Sequence, residues 1–327
     1  MMDVARLAGV SHQTVSRVIN GSGRVAPDTR ERVLAAMRML DYRPSSLARA
    51  LKTGRSQTIG VISFNTTLYG PASTLFGLER AAHEADYFTS IVSVPLLDRD
   101  SVLLAVDRLR RQGVEGIVAV TPQWAAMSAL SQIPDDVPLV AVEAGPGSGV
   151  AVVAVDGFAG AAAATSHLLD LGHPTVFHLS GPTGWQEAEL RMAGWRETLL
   201  ARDRTVTKPL IGDWSPDSGY ELGRELATRT EISAVFVAND QMALGLLRAL
   251  HEGGRRVPED VSVIGFDAIP EAAFFTPPLT TLRQDFLAVG REGFRLLQQQ
   301  IEQGRRSEER VTITPELVVR ASTGPPR

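Results

Sequence analysis

Between residues 58 and 265, short apolar runs alternate with amphipathic stretches, and this alternation restricts the chain more than any other feature. The strand-like runs are Thr58–Phe64, Thr89–Val94, Gly116–Val120, Leu139–Val142, Val150–Val155, Thr175–Leu179, Ala234–Val237 and Val261–Gly265. Most are separated by segments with helical spacing, among them Thr74–Ala85, Ser101–Gln112, Gly157–Leu171, Glu187–Ala201 and Asp240–Glu252. Such interleaving predicts parallel sheets with crossover helices, and the number of units calls for two sheets. The 327 residues leave room for that body, with full cores, behind a separate head. Ligands in this architecture sit beyond the carboxyl ends of the strands, so the residues just after each strand matter most.

The head has a different grammar. Residues 3–20 predict two short helices joined by a tight turn. Asp3 suits a helix start, and Val4, Leu7 and Ala8 share one face. Gly9 supplies the permissive backbone that ends the first helix, and Ser11 is a natural cap for the second. In that second helix Val15, Val18 and Ile19 face inward. His12, Gln13, Thr14, Ser16, Arg17 and Asn20 face outward, none acidic and most able to hydrogen-bond. Gln13 and Arg17 lie four apart on one face, and their side chains match adenine and guanine edges respectively. Pro27 opens a third helix whose expected stripe is Val33, Leu34, Met37 and Leu40. Three such helices form a helix-turn-helix reader of the DNA major groove. After Pro44, Ser45 caps a further short segment that Gly54 ends, and a helix that short is ordered only when something packs on it.

Charge divides the chain the same way. Residues 1–55 carry ten Lys and Arg against four acids, whereas the whole chain has a formal charge of −4, so the body is strongly acidic. A basic head on an acidic body suits phosphate binding by one end. Cysteine is absent, which excludes disulfides and thiolate metal sites. No apolar run approaches a membrane span and the start lacks the core of a signal peptide, so no membrane partner and a cytoplasmic location are expected. His167 and His173 lack metal-ligand spacing, and Gly172-His173-Pro174 reads as a helix stop. Gly145–Gly149 has the wrong spacing for a dinucleotide loop. With no phosphate loop and no catalytic constellation, neither enzymatic activity nor a cofactor or metal is expected. A transport-type sugar-binding protein is a weaker alternative, since it has no use for the basic head.

Several strand ends carry polar residues that could grip a hydroxyl-rich ligand. Asn239 follows Val-Phe-Val-Ala, Asp267 follows Val-Ile-Gly-Phe, Glu143 follows Leu-Val-Ala-Val, and Arg191 lies in a helical segment. Planar side chains of this kind can hold two vicinal hydroxyls, and Trp214 offers a flat face for a sugar ring. Taken singly, each also has a plain structural role: Asn239 as a helix cap, Asp267 as a loop acid, Trp214 as core.

The runs Asp-Val-Ala at 3–5, Ala-Gly-Val-Ser at 8–11, Thr-Val-Ser-Arg-Val-Ile-Asn at 14–20, Thr-Arg-Glu-Arg-Val at 29–33 and Ala-Arg-Ala-Leu at 48–51 resemble the lactose/galactose repressor family of bacterial transcription regulators. In the body, Arg-Met-Ala-Gly-Trp at 191–195, Gly-Asp-Trp-Ser at 212–215, Val-Ala-Asn-Asp-Gln-Met-Ala-Leu-Gly at 237–245 and Pro-Pro-Leu-Thr-Thr at 277–281 lie nearest its lactose-type members. The likeness covers essentially the whole chain. It implies an N-terminal all-α helix-turn-helix headpiece plus an α/β periplasmic-binding-protein-like core of two doubly wound parallel-sheet subdomains. The implied divisions are 1–43 for the DNA-binding domain, 44–56 for hinge helix and linker, and 57–327 for the effector and dimerisation core. Within that core, subdomain 1 is about 57–155 and 284–313, and subdomain 2 about 156–283 and 314–322.

By the same resemblance, His12, Gln13 and Arg17 read base edges, while Leu51, with Lys52 beside it, wedges into the minor groove at the operator centre. Arg191, Asn239 and Asp267 hold sugar hydroxyls, Trp214 stacks on the ring, Gln284 and Leu68 complete the pocket, and Phe286 walls it. Glu143 stands where the family has an aspartate, and Phe64 where a small polar residue is usual. Ala26 replaces a polar cap and Ser45 an asparagine. The implied function is a repressor that binds pseudo-palindromic double-stranded operator DNA and is controlled by a small sugar, a galactoside first, another sugar or a purine second. Dimerisation follows because one short reader buries too little to be selective. No leucine heptad follows Arg320, so a homodimer is expected.

Overall fold

The structure is a computed structural model and describes residues 1–20, 23–42, 54–64, 67–94, 98–120, 129–144 and 149–327, the side chain of Asn20 excepted. It contains two compact units, Met1–Gln57 and Thr58–Arg327. Leu51 and Lys52 lie outside the described residues.

The first unit is helical: α1 spans Met2–Ala8, α2 His12–Asn20 and α3 Pro27–Met39. Gly9 ends α1 in the left-handed region, φ 64° and ψ 39°, where a side chain would be strained. The Thr14 N–H donates to Ser11 Oγ at 3.1 Å and caps α2. Pro27 opens α3, and Ala26 before it supplies no side-chain cap. The core consists of Val4, Ala5, Ala8, Val15, Val18, Val33 and Ala36. It differs from the expected stripes in one respect: Leu7, Leu34 and Leu40 are exposed, while Ala5 and Ala36 are buried. Helices this short meet at close crossings, and the small side chains occupy the crossing point while the leucines are left on the flanks.

The second unit holds twelve described strands in two six-stranded sheets. The first sheet is built from β1 (Thr58–Phe64), β2 (Phe88–Val94), β3 (Gly116–Val120), β4 (Leu139–Val142), β5 (Ala151–Val155) and β11 (Arg310–Ile313), with helices α4 (Tyr69–Glu84), α5 (Arg99–Arg111) and α10 (Phe286–Gln303). Its order is β11-β5-β4-β3-β1-β2, parallel throughout. The second is built from β6 (Phe177–Ser180), β7 (Leu210–Ile211), β8 (Ala234–Val237), β9 (Ser262–Asp267), β10 (Thr280–Arg283) and β12 (Glu316–Val318), with helices α6 (Gly157–Asp170), α7 (Gln186–Ala201), α8 (Pro216–Ala227) and α9 (Asp240–Glu252). Its order is β12-β10-β9-β8-β6-β7, and only the β10–β12 pair is antiparallel.

Burial on both faces explains the unbroken apolar runs. In β3, Ile117 and Ala119 enter one core layer while Val118 and Val120 enter the other. The chain crosses between the sheets three times, after β5, after β10 and after β11. Helices start where strands end, and five of those junctions are capped by side chains. Asp98, Asp156, Ser215, Asn239 and Asp285 accept from the backbone N–H three residues on. Those junctions place polar side chains at the strand ends that face the gap between sheets.

Candidate ligand cavity and nucleic-acid interface

A cavity lies among these strand ends, where this architecture places its ligands. Leu68, Tyr69, Gly70 and Pro71 at the start of α4 form one wall; Trp185, Glu187 and Arg191 come from α7 and the residue before it. Trp214, Asn239, Gln241 and Asp267 follow strands of the second sheet, and Gln284 and Phe286 sit at the second crossing. The structure thus gathers Leu68, Arg191, Trp214, Asn239, Asp267, Gln284 and Phe286 around one space. It does not place Glu143 in that lining: the side chain is buried behind it, where Oε1 accepts from the Val155 N–H at 3.0 Å.

Arg191 organises the polar floor. Nη1 donates to the Ala238 carbonyl, Nη2 lies 3.8 Å from Asp267 Oδ1, and the guanidinium sits 4.0 Å from the Phe266 ring centroid. Gln284 Nε2 donates to the same Asp267 oxygen. Burial drives the Asp267 carboxyl up to about 7 against the pull of Arg191. Asp267 has φ 112° and Ala268 has φ 54°, a turn that must be held in place. Asp240 does so from behind, accepting from the Ile269 N–H at 2.9 Å and from the Thr281 hydroxyl at 2.6 Å. Burial, then the nearby charge of Asp267, pushes Asp240 up to about 8. Burial also raises Glu143, with the charge of Glu187 adding to it, and raises Glu187 against the pull of Arg191.

Asn239 acts mainly as a support. Its Oδ1 accepts from the Met242 N–H at 2.9 Å, and Nδ2 donates to the Trp214 carbonyl at 3.1 Å and to Gln241 Oε1 at 3.0 Å. That bond steadies Trp214, whose φ is 75°. The indole lies against Gly181 so closely that a Cβ there would meet Cη2 at 2.2 Å. Gly181→Ala is therefore expected to displace the ring at a cost of about 1–3 kcal/mol. Weakened ligand binding with a changed tryptophan emission is the expected readout; an unchanged emission would show that the ring had not moved.

Two donors in this site have no partner in the described structure: the buried Trp214 Nε1 and Arg191 Nε. The aromatic walls meet edge-on, Trp185 with Trp214 at 5.8 Å and 69°, Tyr69 with Phe286 at 5.7 Å and 79°. Sequence reasoning missed Tyr69, Trp185, Glu187 and Gln241 as lining residues. Helical spacing carried one usable signal, since Glu187 and Arg191 are four apart.

In the helical unit, His12, Gln13 and Arg17 are exposed on α2, whereas Thr14 and Ser16 are half-buried. Thr14 is tied into the cap, its Oγ1 lying 3.0 Å from Ser11 Oγ. Beside α2, Arg17, Arg24 and Arg30 line a shared recess with Gly23, Val25 and Ala26. No acid contributes to that recess, which suits a phosphate group.

A helix-turn-helix unit with a basic recess, followed by a two-sheet body with a ligand cavity between its sheets, defines a ligand-controlled DNA-binding regulator. Residues 1–45 match the model of the bacterial regulatory proteins of the lacI family, and residues 165–323 match the periplasmic binding protein-like domain. The HTH-type transcriptional repressor PurR of Haemophilus influenzae is 34% identical over 330 residues, covering 98% of this chain and 97% of that protein. The lactose operon repressor of Escherichia coli is also 34% identical, over 329 residues, covering 99% and 90%. Among solved structures, the lac repressor dimer bound to operator and the anti-inducer ONPF superposes with a TM-score of 0.89 at 32% identity, covering 98% of each chain. The transcriptional regulator CelR in complex with cellobiose gives a TM-score of 0.74 at 32% identity, again covering 98% of each.

The chain belongs to the lacI family of bacterial regulatory proteins. It is a DNA-binding transcriptional repressor with a small-molecule effector, not an enzyme. The equal identity to PurR means that likeness to the lactose operon repressor does not by itself select a galactoside. Among the described residues, no helix is long and apolar enough to cross a membrane.

Proposed function

We propose that this repressor binds a pseudo-palindromic operator in the cytoplasm as a homodimer and is controlled by a small sugar, with a galactoside the first ligand to test. The observation that carries the sugar reading is the cavity itself. Its lining mixes the carboxyls of Glu187 and Asp267, the amides of Asn239, Gln241 and Gln284 and aromatic side chains, and hydroxyls, which both donate and accept, match that mixture. A purine is the second reading, favoured by the PurR relatives.

His12, Gln13 and Arg17 are the proposed base readers, with Thr14, Ser16 and Asn20 beside them and Arg24 and Arg30 on phosphates. Leu51 and Lys52 are assigned the minor-groove contact on resemblance alone. The proposed dimer covers edge strand β2, where Phe88 and Ile91 stand exposed, and Phe76 on α4. Effector binding between the sheets and operator binding are coupled, so each weakens the other by the same factor if the sugar induces.

Arg17→Ala tests the DNA reading. It is expected to weaken binding to operator by about 1–3 kcal/mol and to random duplex far less. The measurement is retention of genomic fragments by the purified chain at moderate ionic strength, with and without galactosides, glucosides and purines. Equal losses on all sequences would remove Arg17 from base reading, and no fragment preference at all would sink the proposal.

A further inference from the structure

The effector cavity holds an imbalance of charge. Glu187 and Asp267 line it and Glu143 lies behind, whereas Arg191 is the only cationic side chain among the described lining residues. Arg191 is already committed, with Nη1 on the Ala238 carbonyl and Nη2 towards Asp267. His178, buried near Arg191, contributes no charge, because burial holds its imidazole down at about 4. Arg310 acts on Glu143 from outside the lining and donates to the Ala144 carbonyl. Glu187, in contrast to Asp267 with its Gln284 donor, has no hydrogen-bond partner among the described residues and is half-buried in the cavity wall.

The two unspent donors, Arg191 Nε and Trp214 Nε1, are single buried N–H groups on neighbouring side chains, the guanidinium standing 5.5 Å from the indole centroid. Neither forms the paired fork that a phosphate or carboxylate needs. A phosphorylated ligand therefore meets two lining carboxylates and finds no free cation.

Resting on the sugar reading above, we infer that the cavity accepts an uncharged sugar and rejects its phosphorylated form, with Glu187 setting the discrimination. The repressor then reads the sugar as a transporter or glycoside hydrolase delivers it, before a kinase-class reaction consumes it. An ionised carboxylate in the wall repels the phosphate, and one that burial keeps protonated still offers no cation to replace the water the phosphate loses, so the preference is large and grows as the pH rises through the range of these carboxyls.

The test uses the full chain at pH 8.5, where Asp267 is ionised, and titrates Trp emission with galactose, glucose, lactose and cellobiose, and with galactose 6-phosphate and glucose 6-phosphate. Wild type is expected to bind at least one neutral sugar, and to bind its phosphate roughly a hundredfold more weakly. Glu187→Gln should shrink that ratio about tenfold, whatever it does to either affinity alone. Glu187→Ser serves if the glutamine variant misfolds. A phosphate that binds wild type as tightly as its parent overturns the inference and leaves the sugar reading standing. A ratio unchanged in both variants removes Glu187 from the discrimination. Silence towards every sugar, with operator retention intact, overturns the sugar reading and this inference with it.

Discussion

Arg191→Ala should lower the stability of the α/β body by about 3–5 kcal/mol and abolish its response to effector. The guanidinium is 4% exposed, so its removal cannot be repaired by water from outside. Three things fail at once. The Ala238 carbonyl loses its donor, Asp267 loses its counter-charge, and the Phe266 ring loses the cation 4.0 Å from its centroid. Glu187 and Glu143 then share a dry site with Asp267 and no neighbouring guanidinium. Lysine should rescue little, because a single ammonium cannot span the carbonyl, the carboxylate and the ring face together. Asp267→Asn should cost less, since it removes the charge that burial already disfavours. Urea denaturation followed by tryptophan emission reports this unit alone, because all four tryptophans lie after residue 57. A midpoint within error of wild type would show that Arg191 does not hold the floor of the cavity.

How much of this could be read in advance depended on burial. Strands such as Gly116–Val120 are enclosed on both faces and carry an unbroken apolar run, so their place in a parallel sheet was plain. The segments Thr280–Arg283, Arg310–Ile313 and Glu316–Val318 gave no such signal. Two are sheet edges with polar residues outward, and in the third the buried threonines are satisfied locally. Thr280 N–H donates to Ser322 Oγ at 2.8 Å, and its hydroxyl lies 3.0 Å from that of Thr323. The head showed its turn chemistry at Gly9 and Ser11 but misled at Leu7 and Leu34, where helix crossing decides which of two apolar faces is inside. In the cavity, local chemistry alone left Asn239 and Asp267 ambiguous, and Asn239 does cap α9. Trp185 carried no pattern of its own, and Glu187 only its four-residue spacing from Arg191. They join the site because the sheets bring α7 opposite the start of α4, a proximity that no local spacing encodes.

Between pH 6.5 and pH 8.5 the unliganded body should lose stability as pH rises, the reverse of what exposed, salt-bridged acids produce. Asp240 and Asp267 stand at about 8 and about 7 in the folded chain, and Glu143 and Glu187 are also raised by burial. Unfolding releases all four to the ordinary carboxylate range near 4. Over the interval between those values the native state holds more protons than the unfolded state, so stability falls with increasing pH. The contribution is complete below the unfolded values and is lost as pH climbs through the folded ones. Histidine opposes it lower down. His178 is held at about 4, and His167 and His173 are also lowered by burial, so the unfolded chain takes up their protons below about 6.5 and stability falls on acidification there. The two trends offset one another below about pH 6.5, and the acids act alone above it. One proton of difference changes stability by about 1.4 kcal/mol per pH unit, and the expected loss across the upper interval is about 1–3 kcal/mol. Asp240→Asn should flatten the upper slope, because the amide still accepts from the Ile269 N–H and no longer titrates. Urea midpoints at pH 6.5, 7.5 and 8.5 decide the matter. A midpoint that rises across that range, or a slope equally steep in the asparagine variant, would mean that these carboxyls are ionised in the fold and that water or an ion reaches them.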